Sequence, residues 1–226
     1  VAERPILTRW LGRVPYGEAL ALQRAAREEV IAGLAPEQVW LLEHDPVITT
    51  GRREAAGVPA EARLAEAGIA RFAVERGGLA TWHGPGQLVA YLFIDAGGRG
   101  IGVRGLVAAM EEGVIRWLAP LGIAAGRREG LAGVWVGQEK ICAIGLHIRL
   151  GVSMHGLAVN LKPDLGAFDL IVPCGIVGAG VTSVAKILGA APSPEEAAES
   201  LGASLVEAIR AARKFSRRLD DPKGTE

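Results

Sequence analysis

Apolar residues recur every three to four positions across G-E-A-L-A-L-Q-R-A-A-R-E-E-V-I-A-G-L, where Ala19, Leu22, Ala26 and Val30 share one stripe and charged residues lie opposite. That period predicts a surface helix lying on a core. Next, V-W-L-L-E-H runs apolar to His44 and stops at Asp45-Pro46, and V-I-T-T-G is a second β-branched stretch closed by Gly51. Two strands around a turn are expected. A short Ala-rich helix over 60–67 leads into A-R-F-A-V-E-R, which alternates like a strand, and after the glycine-rich run at 76–86 the segment Q-L-V-A-Y-L-F-I-D reads as a buried strand. Leu106, Met110, Val114, Trp117 and Leu121 then fall at helical spacing and predict a second long helix.

From 133 to 161 the pattern is of two or three consecutive strands with tight turns at Gly137 and Gly151, a meander rather than an alternation of strand and helix. A meander among helices predicts the α+β class, with mixed, largely antiparallel sheets flanked by helices. Ser193-Pro194-Glu195-Glu196 has the cap, first-turn proline and capping-box carboxylate of another helix start. No repeat or composition break marks a boundary. One domain over 1–214 is expected, with 215–226 as a flexible polar tail.

Composition narrows the function. Half of the 226 residues are hydrophobic, enough for a sizeable core, and Lys+Arg and Asp+Glu balance at 25 each. Zero net charge removes the electrostatic footprint of a nucleic-acid binder. The first residues lack the basic-plus-apolar pattern of a signal peptide and no apolar stretch is long enough to span a bilayer, so a cytoplasmic protein with no membrane partner is expected. Two cysteines make no disulfide framework, and both are expected free. The four histidines show no metal spacing and no C-x-x-C pair occurs, so no metal or cofactor is expected.

Cys142, in K-I-C-A-I-G-L-H-I, is in phase with Ile144, Leu146 and Ile148 and reads as a buried small hydrophobe. Cys174 differs, because I-V-P-C-G-I sets it between a proline and a glycine, in a loop that can expose a thiol to substrate. An inert loop anchor is the alternative. A thiol needs a nearby cation, base or helix N-terminus to become a good nucleophile. Lys140 is the candidate cation, since its phase points an ammonium toward an apolar face unless the strand bulges; Lys162 is the rival, and Lys186 reads as a solvated helix residue.

The run R-G-G-L-A-T-W-H-G-P-G-Q, beginning at Arg76, matches neither the P-loop nor the G-x-G-x-x-G spacing and reads as a pocket wall approached closely by ligand. Ala143 and Gly145 on one strand, and Gly156 and Ala158 on the next, form side-chain-poor strips that can leave a groove for a linear chain or receive a tightly packed helix. Ala143 and Gly145 are out of phase with Lys140, which requires a strand covered on both faces or a twist near Gln138-Glu139. His147 falls on a polar phase and is expected to be exposed, whereas His44, His83 and His155 each lie beside Pro or Gly at the end of, or within, an apolar run.

Taken in order, R-G-G-L-A-T-W-H-G-P-G-Q, G-x-x-K-I-C-A-I-G, H-G-L-A-V-N-L and I-V-P-C-G-I resemble the lipoyl(octanoyl) transferases of lipoate biosynthesis over roughly residues 5–190. The resemblance implies a fold similar to the catalytic domains of biotin and lipoate protein ligases. It implies an acyl-thioester intermediate on Cys174, with Lys140 lowering the thiol pKa. It maps substrate-contacting stretches onto Arg76, Gly77, Gly78, Leu79, Ala80, Thr81, Trp82 and His83, onto Ala143, Ile144 and Gly145, and onto Gly156, Leu157 and Ala158. Trp82 stands where the family often has another aromatic.

The implied donor is octanoyl-[acyl carrier protein]. The implied acceptors are lipoyl domains of 2-oxoacid dehydrogenase complexes and the glycine cleavage H protein, and the chain is expected to act as a monomer. Charge alone nominates Arg52, Arg53, Arg76 and Arg149 to dock an acidic carrier. Two rivals stand beside this: an ATP-dependent lipoate or biotin ligase on the same scaffold, and an acyl or lipoyl-domain binder without chemistry.

Overall fold

The computed structural model describes residues 4–52, 64, 66, 68–171 and 180–219, with side chains to 212. A seven-stranded sheet forms its centre in the order β1 (Ile6–Arg13), β2 (Glu37–Glu43), β6 (Gln87–Phe93), β10 (Val152–Asn160), β9 (Glu139–Arg149), β8 (Leu131–Val136) and β7 (Gly126–Arg128). Within this sheet β1 and β2 run parallel and the other neighbours are antiparallel. A second sheet of three strands has β3 (Val47–Thr50) between β4 (Ala70–Ala73) and β5 (Ala80–His83). This is the α+β architecture expected.

Alternation sorts β6 between two cores. Leu88, Ala90, Leu92 and Ile94 face helices α2 (Gly102–Leu118) and α4 (Pro194–Leu219), which pack on one face of the large sheet. Val89, Tyr91 and Phe93 face the opposite way, into a core closed by α1 (Tyr16–Ile31) and by Val47, Phe72 and Val74 of the small-sheet region. With both faces covered, every residue of β6 is buried, which is why it reads as one apolar run.

Several local expectations need correction. Leu22 of α1 is 43 % exposed, and the buried stripe runs through Tyr16, Ala19, Leu20, Gln23, Ala26 and Arg27, because the helix lies on a partly polar surface. The strands β2 and β3 do not pair across Asp45-Pro46; the chain leaves the large sheet there and starts the small one. Helix α2 ends at Leu118, before Pro120, and leaves Leu121 36 % exposed in a 3-10 turn. The Ala-rich segment 60–67 lies outside the described residues apart from helical Leu64 and Glu66.

The meander is as expected: β8, β9 and β10 are joined by turns whose Gly137 and Gly151 have φ of 57° and 86°. A short helix α3 (Val184–Leu188) is capped by Ser183 Oγ accepting from Lys186 N at 3.1 Å. Helix α4 opens with the capping box, Ser193 N donating to Glu196 Oε2 at 2.7 Å and Glu196 N to Ser193 Oγ at 3.3 Å. The helix continues to Leu219, while 220–226 lie outside the described residues.

Candidate active site

The two side-chain-poor strips meet. In the β9–β10 register Gly145 pairs with Gly156 and Ala143 with Ala158, so the small residues stand side by side across the strand pair. They line a cavity of about 340 Å³ bounded by the loop Arg76–Leu79 and by β5. The loop lies close because nothing stands in its way: a Cβ on Gly145 would be 3.1 Å from both Arg76 Cδ and the Gly77 carbonyl. Gly77 N donates to the Leu146 carbonyl at 2.9 Å and ties the loop to β9. Arg76 is buried, with Nη2 donating to Thr49 O at 2.7 Å and to Thr49 Oγ1 at 2.8 Å.

Lys140 enters the same cavity through a bulge. Val134 pairs with Cys142 but Trp135 pairs with Lys140, so one step on β8 meets two on β9. The extra residue lets Ile141 and Cys142 both join the α2/α4 core while Lys140 and Ala143 line the cavity. This resolves the phase conflict in the sequence. The Lys140 ammonium donates to the Ala132 carbonyl at 3.1 Å and sits 4.7 Å from the Trp135 ring centroid, with the residue only 8 % exposed. Lys162 is exposed, and Lys186 is exposed and paired with Glu139 at 2.7 Å, so neither is a comparable cation.

Cys174 lies outside the described residues, which stop at Ile171 and resume at Gly180. Both flanks are anchored. Ile171 packs with Trp82 and Phe168, and Val181 packs against the same cluster. Lys140 N donates to Gly180 O at 2.9 Å and Thr182 N to Lys140 O at 3.0 Å, so the chain returning from the cysteine segment is laid directly along the lysine's backbone. Cys142, by contrast, is fully buried, and desolvation pushes its thiol up to about 12.

Of the substrate-contacting residues expected from the sequence, all but Trp82 line this cavity. Trp82 turns to the other side of β5, where its ring meets Phe168 edge-on at 5.5 Å. Arg52 and Arg149 are exposed, while Arg53 is outside the described residues and Arg76 is buried in the wall. His147 is half-buried, its Nδ1 accepting from Arg27 Nη1 at 3.1 Å, which corrects its expected exposure.

Sequence reasoning missed Tyr16 and Tyr91, which also line the cavity. Alternation on β6 could have nominated Tyr91 had its two faces been distinguishable; Tyr16, at the first position of α1, carried no signal. His83 and His155 line the cavity, and burial is the main reason both are held down at about 3. His155 takes a left-handed backbone, φ 63°, on a buried strand, and its Nε2 has no hydrogen-bond partner among the described residues. Such a conformation costs a non-glycine residue about 1–2 kcal/mol. Among the described residues no group of His, Cys, Asp and Glu could hold a metal, and no helix is long and apolar enough to cross a membrane.

A family model for the lipoyl protein ligase A/B catalytic domain matches residues 15–206. An octanoyltransferase of Chloroflexus aurantiacus is 44 % identical over 209 residues, covering 90 % of this chain and 94 % of that protein. Among solved structures, lipoate-protein ligase A bound with ATP superposes with a TM-score of 0.71 at 18 % identity, covering 99 % of this chain and 97 % of the other. Biotin protein ligase of Aquifex aeolicus gives 0.55 at 11 %, covering 96 % and 74 %. At those identities the structural likeness speaks for the fold alone, which is the one expected.

Proposed function

The chain belongs to the octanoyltransferases of the lipoyl protein ligase A/B catalytic-domain family, and on that premise we propose that it carries an octanoyl group from octanoyl-[acyl carrier protein] to a lysine of lipoyl domains through a thioester on Cys174. The Cys174 thiolate attacks the donor thioester; a new C–S bond forms as the carrier's C–S bond breaks, and the carrier leaves as a thiolate that takes up the proton Cys174 gave up. A lysine amine then attacks the acyl-enzyme, forming the amide and releasing Cys174. Exchanging thioesters is nearly neutral and amide formation runs downhill, so no ATP is required. One catalytic domain over 1–214, acting as a monomer in the cytoplasm, suffices for this chemistry.

The observation that carries the reading is the position of Lys140. Its ammonium lies in the cavity floored by Gly145 and Gly156, and its backbone is bonded to Gly180 and Thr182, the residues that follow the cysteine segment. Cys174 is three residues beyond the anchored Ile171, a tether of at most about 10 Å, and the reading requires its thiol to meet that amine. A cation there favours the thiolate, and once neutral the amine can take a proton from the thiol or from the incoming lysine. The acyl tail suits the strip of small residues, where burial of its methylenes at roughly 0.8 kcal/mol each supplies about 5 kcal/mol.

The test is transfer to a lipoyl domain from an octanoyl thioester without nucleotide. Octanoyl-domain formed with no ATP supports the reading. Dependence on ATP and free octanoate, with AMP released, would favour the ligase alternative instead.

A further inference from the structure

The hydrogen bonds around His83 leave no freedom as to which ring nitrogen carries its proton. The carbonyl of Thr182 can only accept, so Asn160 donates to it through Nδ2, at 3.0 Å. Asn160 Oδ1 must then face Gln87 and accepts from its Nε2 at 2.9 Å, while that same nitrogen meets the Trp82 carbonyl at 3.4 Å. With its nitrogen committed to two acceptors, Gln87 presents Oε1 to His83 Nδ1 at 2.7 Å. The Nδ1 atom therefore bears the hydrogen, and Nε2 keeps its lone pair.

No partner of Nε2 occurs among the described residues, and the ring lines the cavity. All three members of the relay are buried, at 9 %, 1 % and 4 % exposure for His83, Gln87 and Asn160. A second network gives the same polarity nearby. His44 Nδ1 donates to the Val14 carbonyl at 2.7 Å, so its Nε2 accepts from the Tyr91 hydroxyl at 2.6 Å. Tyr91 has spent its only proton, and what it can offer the cavity is a lone pair.

We propose that the Asn160–Gln87 pair fixes His83 as a neutral hydrogen-bond acceptor for the N–H of the attacking amine, aiming the amine's lone pair at the thioester carbonyl. The inference rests on the transferase reading above. As the C–N bond forms and the C–S bond breaks, the proton lost by the amine ends on the departing sulfur of Cys174, so the imidazole is uncharged before and after. Its role is orientation of a near-attack geometry rather than proton storage. Burial suits that role: a ring held near 3 stays an acceptor throughout the working range, whereas an imidazolium would donate and repel the incoming cationic side chain. The charged and titratable groups facing His83 are Tyr16 of α1, His44, Arg76, Tyr91 of β6 and His155 of β10. Gln87 and Asn160 are positioning residues.

The test separates the two half-reactions. Charging is followed with the octanoyl thioester of a small thiol, and discharge by adding a lipoyl domain to the isolated acyl-enzyme. In His83→Leu the ratio of discharge rate to charging rate should fall about 100-fold. Gln87→Glu keeps the ring but sets a carboxylate against Nδ1–H, which favours the imidazolium; discharge should then acquire an acid limb near the ordinary histidine value of 6.5, absent from the unsubstituted chain. An unchanged ratio in His83→Leu, equal losses in both half-reactions as a donor-side amide contact would give, or a flat profile in Gln87→Glu overturns the inference while leaving the transferase reading intact. Absence of any acyl adduct on the unsubstituted chain would overturn both.

Discussion

Moving the protein from pH 7 to pH 5 protonates His83 and His155 in the unfolded chain, where their pKa is near 6.5, but not in the folded one, where both sit at about 3. Burial is the first cause for each; His44 adds to it for His83, and Arg76 for His155. Because the folded pKa is depressed, stability is complete above 6.5 and is lost as the pH falls toward 3. At pH 5 the unfolded state has gained about one proton per site, and 1.5 pH units at roughly 1.4 kcal/mol each make about 2 kcal/mol per histidine, or about 4 kcal/mol for the pair. That is a large share of a typical domain's 5–15 kcal/mol. His44 is shifted the same way by burial and adds to the loss. Glu28, Glu75, Glu112 and Glu196 are held below their ordinary 4.5, so their contributions fade at lower pH, outside this window. Guanidinium unfolding at pH 7, 6 and 5 measures the slope, and His155→Asn, which tolerates the left-handed backbone, should remove about half of it. Equal stability at pH 7 and pH 5, or an unchanged slope in His155→Asn, would refute the reasoning.

Other consequences are as concrete. In Gly156→Ala the new Cβ would lie 1.9 Å from the Ala90 carbonyl, so β10 and β6 must part; a loss of about 3 kcal/mol or more is expected in thermal unfolding. Ala143→Leu, which narrows the strip beside Ala158, should shift preference toward shorter acyl chains and cut kcat/KM for octanoyl by about 10–200-fold, read from competing thioesters. Lys140→Met keeps an unbranched stem beside Trp135 but removes the charge, and should slow acyl-enzyme formation about 100-fold or more while circular dichroism is unchanged. His155→Gly relieves the backbone and should hold or raise Tm while turnover falls, since the imidazole lining the cavity is gone.

The sequence announced those parts of the site that depend on local rules. Gly145, Gly156, Ala143 and Ala158 stand out because small residues at period two face one way on a strand, and the register then sets them side by side. Lys140 was legible as a charge out of place, but its direction was not, because a one-residue bulge against Trp135 reverses its phase relative to Cys142. The capping box at Ser193 needed only four residues to declare itself. What stayed hidden depends on contacts distant in the chain. Asn160 is the only asparagine in the sequence, yet its bond to Gln87 joins residues 73 apart, and no pattern within either segment points to the other. The same holds for Leu22, which fits the helical stripe but is exposed because Gln23 and Arg27 occupy the buried side.

Intact-mass measurement after mixing with octanoyl-[acyl carrier protein] tests the central claim most directly. One added octanoyl group is expected that maps to Cys174, is absent in Cys174→Ala and persists in Cys142→Ala, because the Cys142 thiol is fully buried and held at about 12. An adduct on Cys142, or efficient transfer to a lipoyl domain by Cys174→Ala, would contradict it.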